Sequence, residues 1–457
     1  MTKLNHIIEK VLLAFLKVFI SSTLGGATAW CWVQFFNNET LQAYYRLGNY
    51  FLFFIILISY IFIARVYGSF DIGTRSVTEI IFSQIISIFI WLIVCYSLFS
   101  LISYHLVSVK EFLIMFVAYS LFAALWAFVA NRLYFAIHKT KRVIVVYNNV
   151  DAYISLKGIS NMKNRFKIIK TFNNDELPLE KLYDEIMKVD AVFLCGVPSD
   201  YRNEVVKFCV ANDKYAYVKP KISDTIIHGS KTVQLVNIPI YRCSRVGSSY
   251  LYLVIKRFID ILFAICCIIV SSPFMLITAI AIKLYDRGPV FYKQKRLTKD
   301  QKVFEIIKFR SMRVDAEKDG VARLAAENDD RITPIGKIIR KLRIDELPQL
   351  FNILGGSMSV VGPRPERPEI FEQYEKTMPE FALRLQVKAG LTGYAQVYGK
   401  YNTPPYDKVQ MDLEYIAKQS VWEDIKLMLL TFKILFMPDS TEGVEAGQVT
   451  AERNSEE

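Results

Sequence analysis

Asp345 and Glu346 are adjacent acidic residues, followed by Leu347-Pro348-Gln349, in a segment that is otherwise basic and apolar. The excess of lysine and arginine between Lys283 and Gly356 carries about half of the chain's net charge of +12. Such a surface suits anionic lipid headgroups. Ile335, Ile338, Ile339, Leu342, Leu350 and Phe351 are interspersed with Lys337, Arg340, Lys341 and Arg343, as in an interfacial amphipathic helix. Headgroups would repel a pair of carboxylates placed there. The pair instead suits a site that holds Mg²⁺ and processes a phosphate ester. Downstream, Gly362-Pro363-Arg364-Pro365 sets an arginine on a stiff backbone, a form well made for bidentate phosphate recognition. Upstream, Lys308-Phe309-Arg310-Ser311-Met312 adds phosphate candidates, and Asp315 and Glu317 add metal candidates. Singly, each of these is commonplace, and a lone Pro-Arg-Pro is more often a turn than a site.

The elements that position these groups include a membrane part. Over 457 residues the composition is 53% hydrophobic and 14% aromatic against 22% charged, with a mean hydropathy of +0.25. That apolar excess rules out a purely soluble or disordered chain. Four uncharged stretches account for it: Val18 to Phe36, Leu47 to Ala64, Ile80 to Val109 and Phe112 to Asn131. Each reaches the ~18 to 20 residues that a helix needs to cross about 30 Å of hydrocarbon. Ala27-Thr28-Ala29 looks like a signal cleavage site, but the apolar run continues to Phe36, so the first stretch is expected to be an uncleaved anchor. Lys3, Lys10 and Lys17, then Arg65 and Arg75, then Arg132, Lys139, Lys141 and Arg142 mark the cytoplasmic ends; the alternate loops carry only Arg46 and Lys110. The N-terminus and everything after residue 137 are therefore expected in the cytoplasm. Cys31, Cys95, Cys195, Cys209, Cys243, Cys266 and Cys267 form no C-x-x-C pair, and the four histidines are scattered, so neither a disulfide framework nor a zinc site is indicated.

A fifth apolar run, Ile261 to Ile282, is divided by Ser271-Ser272-Pro273 and has basic residues on both flanks. A straight span would place one basic flank outside. A re-entrant hairpin broken at Ser272-Pro273 keeps both on the cytoplasmic face. Between the two membrane parts, residues 138 to about 250 read as an α/β unit. Its β-prone runs are Val143 to Tyr147, Phe166 to Ile169, Ala191 to Cys195 and Val233 to Val236, with helical spacing at Leu179, Leu182, Ile186 and Val189. The turn after the first run, Asn148-Asn149-Val150, lacks the glycines that let backbone amides approach a pyrophosphate, which disfavours dinucleotide binding.

From Lys256 to about Pro438 the chain resembles the bacterial sugar transferases, the polyprenyl-phosphate hexose-1-phosphate transferases also called monotopic phosphoglycosyl transferases. The resemblance rests on Lys256-Arg257-Phe258-Ile259-Asp260, Ser272-Pro273, Gly288 to Gln294, Lys308 to Met312, Asp345 to Gln349, Gly362 to Pro365 and Gly390 to Val397. With the N-terminal spans it is similar to the long-form members that start capsule or exopolysaccharide synthesis. The expected architecture is a membrane protein in which a four-helix transmembrane bundle (1–137) precedes a Rossmann-like α/β cytoplasmic module (138–250). A mostly helical catalytic domain (251–437) follows, anchored by a re-entrant membrane helix hairpin (261–282), and an acidic disordered tail (438–457) ends the chain.

The resemblance implies that Asp345 is a nucleophile attacking the β-phosphorus of a UDP-sugar, with release of UMP, and that undecaprenyl phosphate then takes the phosphosugar from a covalent aspartyl intermediate. Glu346 is implied as its partner, Mg²⁺ as cofactor with Asp345 as a ligand, and Arg364 as phosphate-binding, with Lys308, Arg310 and Lys400 as weaker phosphate candidates. Glucose 1-phosphate is the first expectation for the transferred group and galactose 1-phosphate the second. The expected location is the bacterial inner membrane with the catalytic domain on its cytoplasmic face. The lipid bilayer, other polysaccharide-assembly proteins and a second copy of the chain are expected partners, and nucleic acid is not. Two positions depart from the family pattern: Lys400 stands where arginine is frequent, and Arg343 where a small polar residue is frequent. The alternatives are a membrane-bound, NAD-dependent nucleotide-sugar dehydratase or epimerase, disfavoured by the missing glycines, and a non-catalytic scaffold for polysaccharide assembly.

Overall fold

The computed structural model describes residues 3–37, 46–138, 140–148, 165–235, 237–245, 248–313, 331–399 and 403–435. Asp315, Glu317, Lys400, Asn149-Val150 and the tail lie outside the described residues. The chain divides into two compact units, Met1–Lys219 and Pro220–Glu457.

The first unit begins with helices α1 (Lys3–Cys31), which runs on as a π-helical turn to Phe36, α2 (Arg46–Val66), α3 (Val77–Ser103) and α4 (Val109–Ile137). Among the described residues, α2, α3, α4 and Tyr250–Asp286 of the second unit are long and apolar enough to cross a membrane. The chain is membrane-anchored. The uncharged run Ile80 to Val109 is not one helix, because Tyr104 adopts a left-handed φ of 58° and ends α3 there. Polar side chains join the helices where backbone donors are all used internally: Tyr60 Oη donates to Gln84 Oε1 (2.7 Å) and Trp91 Nε1 to the Ile56 carbonyl (3.1 Å).

The same unit continues with a parallel sheet of order β2-β1-β3-β4, made of β1 (Lys141–Tyr147), β2 (Phe166–Asn173), β3 (Ala191–Cys195) and β4 (Tyr215–Val218). Strands covered on both faces read as continuous apolar runs. Ile144, Val146, Val192 and Leu194 face the helices α5 (Leu179–Met187) and α6 (Ser199–Ala211), through Leu182, Ile186, Val205 and Cys209. Val143, Val145, Ala191 and Phe193 turn to the other face, where Phe193 stacks on Tyr217 at 4.6 Å. The β-prone run at Val233 takes no place in this sheet. It forms β5 (Lys231–Leu235), paired antiparallel with β6 (Ile238–Arg242) beyond the division at Lys219, because Asn237 supplies the positive φ of a tight hairpin.

The second unit comprises α7 (Ile222–His228), the β5–β6 hairpin and α8 (Tyr250–Asp286), and then the antiparallel pair β7 (Phe291–Leu297) and β8 (Val303–Phe309). After these come α9 (Pro334–Lys341), α10 (Gln349–Leu354), β9 (Ser359–Val361) and α11 (Pro368–Thr377). The last elements are β10 (Gly390–Thr392), α12 (Tyr394–Tyr398), α13 (Pro405–Ala417) and α14 (Val421–Leu435). Leu350, Ile353, Val360, Val361, Phe371, Phe381 and Tyr415 form its core, which Ala264 of α8 joins.

Helix α8 runs unbroken through Pro273. Proline lacks the N–H that would bond the carbonyl four residues back. Ser272 Oγ donates to that carbonyl, Ile269 O, at 2.8 Å, and Ser271 Oγ donates to Cys267 O at 2.6 Å. Before Ser272-Pro273, Arg257 caps the end of α10 by donating to the carbonyls of Ile353 (2.6 Å) and Leu354 (2.7 Å). Asp260, 3% exposed, accepts from Ser359 Oγ (2.8 Å) and the Val360 amide (3.0 Å) of β9. Lys256 meets Asp424 of α14 at 3.0 Å. The Lys256-Arg257-Phe258-Ile259-Asp260 motif is thus a clamp between the anchor helix and three elements of the soluble core. Replacing Asp260 by alanine strands a buried amide and hydroxyl, and the expected loss is about 1 to 3 kcal/mol. Thermal unfolding of the detergent-solubilised protein checks it: Asp260→Asn, which keeps one acceptor, should lose less than Asp260→Ala.

Candidate active site

Glu346 collects the cations. Arg364 Nη2 donates to its Oε1 at 2.7 Å, Lys308 Nζ lies 3.3 Å from the same oxygen, and Arg343 Nη1 stands 3.8 Å from Oε2. Lys308 arrives from β8, whose edge is pinned to α10 by Asn352: its Oδ1 accepts from the Ile307 amide (2.9 Å) and its Nδ2 donates to Glu305 O (2.7 Å). The two carboxylates sit on a 3-10 turn, Ile344–Glu346, entered through Arg343 at a left-handed φ of 54°. That conformation costs an ordinary side chain about 1 to 2 kcal/mol. Arg343 adopts it and gains the Glu346 contact in return.

Arg364 is placed by backbone crossing backbone. The Gly362 amide donates to Thr392 O (2.8 Å), and the Gly390 amide donates to Pro363 O (2.9 Å). A Cβ on Gly390 would stand 2.1 Å from the Gly362 nitrogen, so a side chain is excluded there by contact rather than by φ. This contact joins the motifs Gly362 to Pro365 and Gly390 to Val397 into one site. The Arg364 side chain remains 43% exposed while Glu346 is 13% exposed, so the cluster opens to solvent on the arginine side.

Electrostatics separates the two acids. Burial alone would push Glu346 up, but Arg364, Lys308 and Arg343 outweigh it and hold its carboxyl well below the usual range. Asp345 is pushed up, first by burial and then by the Glu346 charge, against partial relief from Lys308 and Arg340. Burial pushes the Lys308 ammonium down, and Glu346 partly restores it. Among the described residues, no hydrogen bond or ion pair reaches the Asp345 carboxylate. The arrangement therefore provides one ionised acid that organises cations and one unpartnered acid beside it.

Arg310 stands apart from this cluster. It is 7% exposed and bound to Asp286 at the end of α8. Lys400, the remaining phosphate candidate, lies outside the described residues. Among the described residues no three His, Cys, Asp or Glu side chains gather as a metal cage. One unpartnered carboxylate fits Mg²⁺, which commonly takes one or two carboxylates and completes its octahedron with water and substrate phosphate.

Residues 251–438 match the family model described as bacterial sugar transferase. The chain is also 38% identical over 190 residues to the UDP-glucose:undecaprenyl-phosphate glucose-1-phosphate transferase of Caulobacter vibrioides, covering 71% of that protein and 40% of this chain. The chain belongs to the bacterial sugar transferase family. It is 43% identical over 190 residues to the UDP-N-acetylgalactosamine-undecaprenyl-phosphate N-acetylgalactosaminephosphotransferase of Aeromonas hydrophila, with 41% of this chain and 45% of that protein covered. To the UDP-glucose:undecaprenyl-phosphate glucose-1-phosphate transferase of Xanthomonas campestris it is 34% identical over 254 residues, covering 53% of this chain and 52% of the relative. The matched part spans about half the length of these last two relatives.

Every residue of the Glu346 cluster lies in the part that matches the bacterial sugar transferases. Sequence reasoning missed the supports: Asn352, Arg296, whose Nη1 donates to Pro365 O (3.0 Å), and Arg384, whose Nη2 donates to Arg364 O (3.0 Å) and lies 2.7 Å from Asp412 Oδ2. Arg384 alone left a trace in the sequence, as a single cation inside the apolar run Phe381-Ala382-Leu383-Arg384-Leu385. In Glu346→Gln the like charge beside Asp345 disappears and Arg364 and Lys308 are released to it, so the Asp345 pKa should fall toward the ordinary carboxylate value of about 3.9. A ¹³C-carboxylate NMR titration checks the direction, and an unchanged or higher Asp345 value would contradict the division of roles.

Proposed function

We propose that the chain transfers a hexose 1-phosphate from a UDP-sugar to undecaprenyl phosphate by two displacements at Asp345. The observation that carries this reading is the asymmetry of the acid pair, in which, among the described residues, Glu346 holds three cations and Asp345 none. In the first displacement an Asp345 oxygen attacks the β-phosphorus, the bond to the UMP oxygen breaks, and UMP leaves. In the second, a phosphate oxygen of the lipid attacks the same phosphorus, the bond to Asp345 breaks, and the carboxylate is regenerated. One exchange between two bulky anions becomes two at a single nucleophile.

Arg364 and Lys308 are held on one oxygen of Glu346, which leaves their other donors for diphosphate oxygens, and Arg364 is open to solvent. A carboxyl held far below its usual range is a weak base, so Glu346 serves as the anchor of these cations and not as the proton acceptor. Mg²⁺, held by Asp345 together with substrate phosphate, would offset repulsion between that carboxylate and the diphosphate. Glucose 1-phosphate is the first group to test. Galactose 1-phosphate is the second, and the Aeromonas relative adds N-acetylgalactosamine to the panel. In this reading the reaction starts capsule or exopolysaccharide synthesis at the cytoplasmic face of the inner membrane, and the parallel-sheet unit is a Rossmann-like structural or regulatory module.

Asp345→Asn should abolish both UMP release and a trapped phosphosugar adduct, because an amide is a poor nucleophile. Glu346→Gln should slow turnover severely and retain some adduct. The measurement is UMP formation by the purified protein with undecaprenyl phosphate, Mg²⁺ and a panel of UDP-sugars. Wild-type rates in Asp345→Asn would sink the mechanism, and no UMP from any donor with a folded protein would favour the scaffold reading.

The break expected at Ser272-Pro273 is absent, since α8 is continuous there; the anchor is still read as re-entrant, with the return made by a bend of the helix. Helix α8 has 37 residues, about 55 Å if straight, which would carry its ends to opposite faces of a membrane. Its ends are instead tied to the same compact unit, Arg257 and Asp260 to α10 and β9, and Asp286 to Arg310 beside β8. Met275 and Ile282, beyond Pro273, are buried with Phe309 and Ile339 of that unit. Cysteines placed at Ser248 and Lys299 should therefore both be labelled only from the cytoplasm in intact cells; labelling of Lys299→Cys from outside would refute the hairpin.

A further inference from the structure

The loop that carries Arg364 is fixed at more points than its prolines explain. Pro363 and Pro365 set their own φ angles, yet ψ, and with it the tilt of each peptide plane, stays free. Four successive carbonyls are each taken by a donor. Pro363 O accepts from the Gly390 amide (2.9 Å), Arg364 O from Arg384 Nη2 (3.0 Å), Pro365 O from Arg296 Nη1 (3.0 Å) and Glu366 O from the Leu297 amide (3.0 Å). Two of these donors are buried or nearly buried guanidinium groups, Arg384 at 3% exposure and Arg296 at 18%.

Arg384 is the inner one. It comes from the 3-10 segment Pro379–Gln386, and the same Nη2 stands 2.7 Å from Asp412 Oδ2 of α13, a residue 1% exposed. Its Nη1 lies 3.8 Å from Glu366 Oε1, and Arg296 Nη1 lies 3.7 Å from Glu366 Oε2. A buried ion pair is poor evidence of stabilisation, because desolvation consumes much of the attraction. Asp412 answers the charge of Arg384 and joins it to α13, but that contact needs nothing from the loop. The additional bond to the carbonyl of Arg364 itself assigns Arg384 a second task.

We propose that Arg384, seated on Asp412, is a positioning residue that sets the peptide plane of Arg364 and so aims its guanidinium at the diphosphate oxygens; this rests on the phosphate-binding reading of Arg364. Arg384 acts through Arg364 and touches no substrate. A purely structural arginine would lower stability and weaken ligand binding equally whether Arg364 were present or not. A positioning arginine loses its effect on binding once the side chain it aims is gone.

The test is a double-mutant cycle on the full-length protein in detergent, with Mg²⁺ and UDP as the probe and binding measured by calorimetry. Arg384→Met should weaken UDP binding about tenfold when Arg364 is present and less than about twofold in an Arg364→Gln background, since residues that share a partner couple and independent ones add. Arg384→Lys keeps the charge and should recover part of the loss. If Arg384→Met fails to fold, Arg384→Met combined with Asp412→Leu removes both buried charges and gives the same comparison. Equal losses in the two backgrounds would overturn the proposal. UDP binding in the wild type that ignores Arg364→Gln would overturn it together with the phosphate-binding reading of Arg364. A coupled cycle in a protein that releases no UMP from any UDP-sugar would instead leave the positioning role standing and refute the transferase mechanism.

Discussion

Two carboxylates on neighbouring residues, both withdrawn from water, cannot cheaply hold charge at the same time. The structure resolves this by giving Arg364, Lys308 and Arg343 to one of them. Glu346 is thereby kept ionised, and Asp345 is left with a raised pKa and no partner among the described residues. The three cations come from three separate places in the chain: strand β8, the turn before the acid pair and the loop after β9. Much of the second unit's architecture is what brings those places to one point.

The means are mostly backbone contacts and buried hydrogen bonds. Asn352 ties β8 to α10, so that Lys308 reaches Glu346. The Gly362–Gly390 contact brings the Arg364 loop against β10, where any side chain would collide with main chain. Asp260 holds the first residues of β9 from inside the anchor helix, one strand away from the arginine loop. The anchor helix and the Arg364 loop thus share a short strand, which ties the acid cluster to the anchor.

Anchor and chemistry are also joined at the other end of α8. Arg310 follows Lys308 by two residues, just beyond the end of β8, and it is bound to Asp286 at the helix end. Lys308 ends in the acid pair and Arg310, just past the end of β8, in the anchor. A basic motif that reads as two phosphate ligands contains one cation of the acid cluster and one tie to the membrane helix.

Features that depend on composition and local chemistry can be read from the residues alone. Apolar runs without charge become long helices because lipid leaves no other partner for backbone groups. Continuous apolar runs become the buried strands β1 and β3, since both of their faces are covered. The acid pair amid cations, the Pro-Arg-Pro loop and their order along the chain were legible as phosphate chemistry. Tertiary structure alone decided which carboxylate keeps the cations, because that depends on where Arg364 and Lys308 arrive in space. It also decided that Arg310 faces Asp286, that β5 leaves the parallel sheet for a hairpin with β6, and that α3 stops at Tyr104. Arg296 and Asn352 were invisible beforehand because the partners that matter are carbonyls and amides, which every residue carries and no residue type announces; Asp412 was invisible because its partner Arg384 lies far from it in the chain.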